Sequence, residues 1–213
     1  MKHSAPLALT LLGLAYLLSQ STEPTPLSVI SFHIGASFDH VVKQSSYPVL
    51  RHADVPDNET DGFGVIWVSE PAVIIRFDDP RFGFTLPPTT FAALGFAHFT
   101  ATTLRTSASL KKLSFNDACE VLAQLQKQLK SRGWQLEQHS DWFDLSTGGR
   151  KTLRQDLRDG HSGHHKFVDV VVPGKYSLIF GIRCAERCDS TWNLDRYLID
   201  IGIGGDYPSD NPK

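Results

Sequence analysis

The sequence predicts an α+β fold: an antiparallel sheet built from two β-hairpins plus further strands, packed against one long and one or two short helices. Three observations carry this. Short runs rich in Val, Ile and Phe alternate with Pro, Gly and Asp, as strands joined by turns require. One stretch, 114–132, places its apolar residues on a single helical face. The regular strand–helix–strand alternation of a parallel sheet is missing. With 213 residues, 41% of them apolar and 21% charged, the chain can bury a sizeable core, and collagen-like and low-complexity classes are excluded.

Taken in order, the chain opens with Met1-Lys2-His3, an apolar run over 5–18, and small polar residues at Ser19 and Ser21. A short basic start followed by a run too short to span ~30 Å of hydrocarbon fits a secretory signal cleaved near Ser21. An uncleaved anchor is the competing reading, and Pro6 counts against it. Residues 22–30, with Pro24 and Pro26, read as a flexible leader. Residues 31–205 read as one α+β domain, with a faint echo between 31–110 and 111–205, and 206–213 as a disordered tail.

Within the domain, Ser37 offers an N-cap to a short helix with apolar residues at 38, 41 and 42. Residues 52–62 are polar and acidic, hence a loop. The runs 63–69 and 72–78, split by Glu70-Pro71, predict a first hairpin, and 96–104 a further strand. Ser114 caps the long helix, with Asp117 three residues on, and Gly133 ends it. A short strand is expected at 134–138 and a short helix near 151–158. Residues 166–172 and 175–183, joined by Pro173-Gly174, predict the second hairpin, and the clean alternation of 196–203 the last strand.

The chemistry is mostly exclusion. Lys plus Arg number 21 and Asp plus Glu 23, a net charge of −2, so no global field draws the chain to nucleic acid. No nucleophile elbow, P-loop, H-E-x-x-H or dinucleotide glycine pattern is present; Gly202-Ile203-Gly204-Gly205 follows a strand, but no helix comes after it. No cofactor is expected. Cys184 and Cys188 are the natural disulfide of an oxidising compartment, provided a tight turn forms at 185–187, whereas Cys119 belongs to the buried helix face. Trp67, Trp134, Trp142 and Trp192 read as packing residues rather than ligand platforms.

Two stretches carry candidate sites. Asp54, Asp57, Glu59 and Asp61 lie on a loop free of Lys and Arg, able to steer a basic partner. Asp57-Asn58-Glu59-Thr60-Asp61-Gly62 starts like a calcium loop, but the position needing a bidentate Glu is Val68, inside an expected strand. Asn58-Glu59-Thr60 is also a glycosylation sequon. In the second stretch His161, His164 and His165, with Asp159 or Asp156 beside them, are metal-competent side chains in a Gly-containing loop. Adjacent His164 and His165 point opposite ways if the next strand starts early, so outside ligands would be needed. The functional expectation is an exported, periplasmic or extracellular, non-enzymatic module binding another envelope or secreted protein, such as an inhibitor, immunity protein or assembly factor, with no membrane span in the mature chain. The alternative is a metal-dependent hydrolase using loop 161–165.

Overall fold

The structure, a computed structural model, describes residues 26–55, 62–160, 163–189, 192 and 194–207. The expected signal, most of the acidic loop (Asp57, Glu59 and Asp61 included), His161 and the last six residues lie outside the described residues. Strands are β1 Ser28–Phe32, β2 Ala53–Asp54, β3 Phe63–Val68, β4 Val73–Phe77, β5 Phe84–Thr85, β6 Ala92–Ala97, β7 Thr100–Ser107, β8 Gln135–Leu136, β9 His165–Val172, β10 Tyr176–Glu186 and β11 Arg196–Gly205. Helices are α1 Phe38–Gln44, α2 Val49–His52, α3 Phe115–Ser131 and α4 Thr147–Asp159. The fold is α+β, as the sequence pattern predicts.

Eight strands form one antiparallel sheet in the order β2-β3-β6-β7-β11-β10-β9-β8, and β1-β4-β5 form a second, smaller one. Each long strand alternates a buried side chain with an exposed or half-buried one, so the large sheet has one core face and one outer face. The core face meets α3, α4 and the aromatic edge of the small sheet. There Phe77 of β4 lies edge-on to Tyr176 of β10 at 5.0 Å, with Trp134 and Phe84 against them. The buried apolar side chains join into one contiguous core.

The long helix forms as its sequence dictates. Ser114 Oγ accepts the Asp117 N–H, and Phe115, Ala118, Cys119, Leu122, Leu125 and Leu129 are buried. Gly133, at φ +83°, lets the chain double back so that the Trp134 N–H donates to the Leu129 carbonyl.

Several expectations need correction. The runs at 63–69 and 72–78 are both strands but not a hairpin: β3 pairs with β2 and β6, whereas β4 pairs parallel with β1. Alternation specifies that a segment is a strand, not which strand lies beside it, and the long-range partners prevail here. The run 96–104 is not one strand. His98 and Phe99 both take positive φ and turn β6 back on β7, a two-residue turn made without Gly or Asn and therefore without its usual signal. Ser28, Val29 and Ile30 belong to β1 rather than to a leader. The helix near 151–158 begins earlier, at Thr147, because Ser146 accepts the Gly149 N–H and carries two glycines into its first turn. At the other end, Asp206 is held at the start of the expected tail: its carboxylate accepts the Gly174 N–H.

Candidate functional site

The parallel pairing of β1 and β4 helps to build a group of three metal-competent side chains, His33, His40 and Asp78. Phe32 stands opposite Phe77, so His33 and Asp78 leave the two strand ends side by side, with the Asp78 N–H donating to the Phe32 carbonyl at 2.8 Å. The chain then turns through Gly35, and Ser37 starts α1, whose first turn brings His40 back over the strand ends. His33 Nδ1 lies 2.7 Å from Asp78 Oδ1 and His40 Nε2 lies 3.1 Å from Asp78 Oδ2. Ser31, buried within β1, donates its hydroxyl to Asp78 Oδ2 at 3.0 Å.

Both carboxylate oxygens are thus engaged, and the two imidazole rings stand edge to face 5.1 Å apart. Burial works to raise the Asp78 pKa, but hydrogen bonds from His33, His40 and Ser31 outweigh it and hold the carboxyl below its ordinary value. The Asp78 side chain is 16% exposed, against 33% for His33 and 37% for His40, so the cluster opens to solvent on its imidazole side.

Neighbouring Asp79 has a different task. Its Oδ1 accepts the N–H groups of Arg81 and Phe82, and its Oδ2 accepts the Tyr176 hydroxyl at 2.9 Å, which ties the small sheet to the large one. Burial, together with that carboxylate, pushes the Tyr176 phenol well above its ordinary pKa.

A second candidate is a surface. Residues directly opposite one another on neighbouring strands share a face. The register therefore sets Trp67, Ala93, Arg105, Gly202, Ile179 and Asp169 in one row across six strands of the outer face. Phe63, 86% exposed, shares that face with Trp67 on β3. Over Gly202 the face sinks into a depression of about 440 Å³ bordered by Phe91, Phe167 and Ile179, with Arg105 and Asp200 as its charged groups.

The sequence-predicted site residues are dispersed. Asp54 is exposed on β2, paired opposite Val65 of β3, at the same sheet edge as Phe63 and Trp67. In the His-rich segment the His164 Nδ1 faces the Leu157 carbonyl at 2.8 Å and the His165 Nδ1 faces the Gly163 carbonyl at 3.1 Å. These two rings and Asp159 do not converge on a common point; among the described residues the three-ligand cluster is His33, His40 and Asp78. Sequence reasoning missed it because Asp78 reads as a strand terminator and His33 and His40 as isolated side chains, brought together by β1–β4 pairing and by the turn that sets α1 over the strand ends. The bridge between Cys184 and Cys188 is formed, with Cα atoms 5.8 Å apart and Arg187 in the left-handed region at the turn. Cys119 is free and buried.

No helix among the described residues is long and apolar enough to cross a membrane. No family model matches the chain, nor does any curated protein or solved structure.

Proposed function

We propose that this chain is an exported, non-enzymatic protein-binding module that engages another envelope or secreted protein through the outer face of its eight-stranded sheet. The observation that carries the reading is the exposure of Phe63, Trp67, Phe91 and Ile179, at 86%, 53%, 49% and 40%, on or beside one sheet face. Large apolar side chains gathered on one face are characteristic of an interaction site, and aromatic residues are the usual anchors of protein interfaces. The depression over Gly202 is of a size to accept a partner side chain, with Arg105 and Asp200 to fix its orientation. Asp54 lies on β2 at the same edge, and the sequence between β2 and β3 carries Asp57, Glu59 and Asp61, which favours a partner with a basic rim. Export is supported by the basic start and short apolar run at the N-terminus and by the Cys184–Cys188 bridge.

The test is a photo-crosslinking residue at position 179 in cells that export the protein, with the intact mass of the product recording removal of the first ~21 residues. A single protein adduct is expected. Phe63→Arg and Trp67→Arg should abolish capture while changing stability by no more than ~0.5 kcal/mol, as surface substitutions do. Absence of an adduct at 179, or capture unaffected by both substitutions, overturns the reading.

A further inference from the structure

The histidine–carboxylate cluster has the composition and placement of a transition-metal centre. Two imidazole nitrogens and a carboxylate oxygen, from the residue after β1, from α1 and from the residue after β4, lie within 4.8 Å of one another. This donor set suits first-row divalent ions, zinc above all, whereas calcium and magnesium favour oxygen-only shells. We propose that His33 Nδ1, His40 Nε2 and one Asp78 oxygen bind a zinc-class divalent ion, leaving its fourth position to solvent. The assignment does not rest on the protein-binding reading.

The geometry supplies what such a site needs. Without an ion the two imidazoles spend their inward N–H groups on Asp78, at 2.7 and 3.1 Å. Moving each ring proton to the outward nitrogen turns both inward nitrogens into lone-pair donors at no change in net charge. Zinc–ligand bonds of ~2.0–2.1 Å at tetrahedral angles set ligand atoms roughly 3.3 Å apart; the three ligand atoms already lie within 4.8 Å of one another, so the imidazoles reach that spacing around one carboxylate oxygen by rotating about their side-chain bonds. Both rings can do this, being about one-third exposed and carried by a turn and the first turn of a helix. Asp78 need not move. It is fixed by the strand pairing beneath it and by the Ser31 hydroxyl, which takes the role of the outer hydrogen bond that orients a ligating carboxylate. The open side coincides with the exposed imidazole edge, which leaves room for water or for a side chain of a bound protein.

The experiment is a zinc titration into the chelator-treated, untagged full chain, read by calorimetry. One ion per chain with a dissociation constant tighter than roughly 10 μM is expected. His33→Gln and His40→Gln should each weaken binding at least tenfold, while His164→Ala with His165→Ala leaves it unchanged. Bound Co²⁺ should give visible absorption that the same two Gln variants lose. Where a variant does not fold, zinc protection of His33 and His40 from diethyl pyrocarbonate in the unaltered chain replaces it, with both residues shielded. Binding weaker than that limit, binding indifferent to His33 and His40, or modification of both residues unaffected by zinc overturns the proposal.

Discussion

Asp195 shows how one residue can concentrate the cost and the gain of burying charge. Its carboxylate is fully enclosed and accepts from Arg154 Nη2 at 2.6 Å and Nε at 3.0 Å, and from the Tyr197 hydroxyl at 2.6 Å, with Arg158 Nη2 at 3.4 Å. Burial alone would raise its pKa, yet the Arg154 and Tyr197 hydrogen bonds win and bring it from 3.8 down to about 2. A folded-state pKa below the unfolded one gives stability that is present above the unfolded value and lost as pH falls through the folded value. The shift corresponds to about 2 kcal/mol. Urea midpoints measured between pH 5 and pH 2 should therefore fall more steeply in the native chain than in Asp195→Asn. At neutral pH that variant should be destabilised by about 3 kcal/mol, because two guanidinium groups lose their counter-charge. Cys119 is the opposite case, a small apolar neighbour rather than a charge. Burial, the dominant cause, pushes its thiol up to about 11. Alkylation should label no thiol in the native oxidised protein, one after unfolding, and three after reduction, as counted by intact mass.

At the level of elements, local rules and close packing can be separated on the outer face. Phe167 of β9 stands opposite Gly181 of β10, and a methyl added at 181 would collide with the Phe167 ring and the Lys166 carbonyl oxygen. The backbone oxygen cannot rotate away, so Gly181→Ala should cost 1–3 kcal/mol, the usual range for overpacking, by urea denaturation. At Gly202 the nearest obstacle to a methyl is the Ile179 Cγ2 at 3.1 Å, a side-chain atom that can yield. Gly202→Ala should cost less than ~1 kcal/mol while partly filling the depression between the two strands. A reversed ranking would mean that the glycines serve strand flexibility rather than close approach. The helices are governed more locally. The Ser114 hydroxyl donates to the Asp117 carboxylate at 2.7 Å while its oxygen accepts the Asp117 N–H, a capping arrangement legible in the residues themselves.

For the molecule as a whole, the decisive feature is that two sheets share one core while the larger keeps an outer face. The small sheet holds β1 and β4 parallel, and the β6–β7 hairpin receives the start of α1 through hydrogen bonds from the Phe38 N–H to the Phe99 carbonyl and from Gly35 to Ala101. These contacts place His40 over Asp78, so the metal-binding proposal depends on global topology. The outer-face proposal depends on register, since a one-residue slip of any central strand would break the row from Trp67 to Asp169.

Legible in the residues alone were the fold class, the long helix with its cap and stop, the second hairpin, the last strand and the pairing of Cys184 with Cys188. Each is written in a short window: a 3.6-residue period, an alternation bounded by Pro-Gly, or two cysteines across a turn. Long-range packing set the rest: β3 and β4 part company, His98 and Phe99 turn a hairpin, and His33, His40 and Asp78 meet. Strand pairing is a choice among segments tens of residues apart, made by burial of whole faces, and the pattern of one segment carries no mark of its partner.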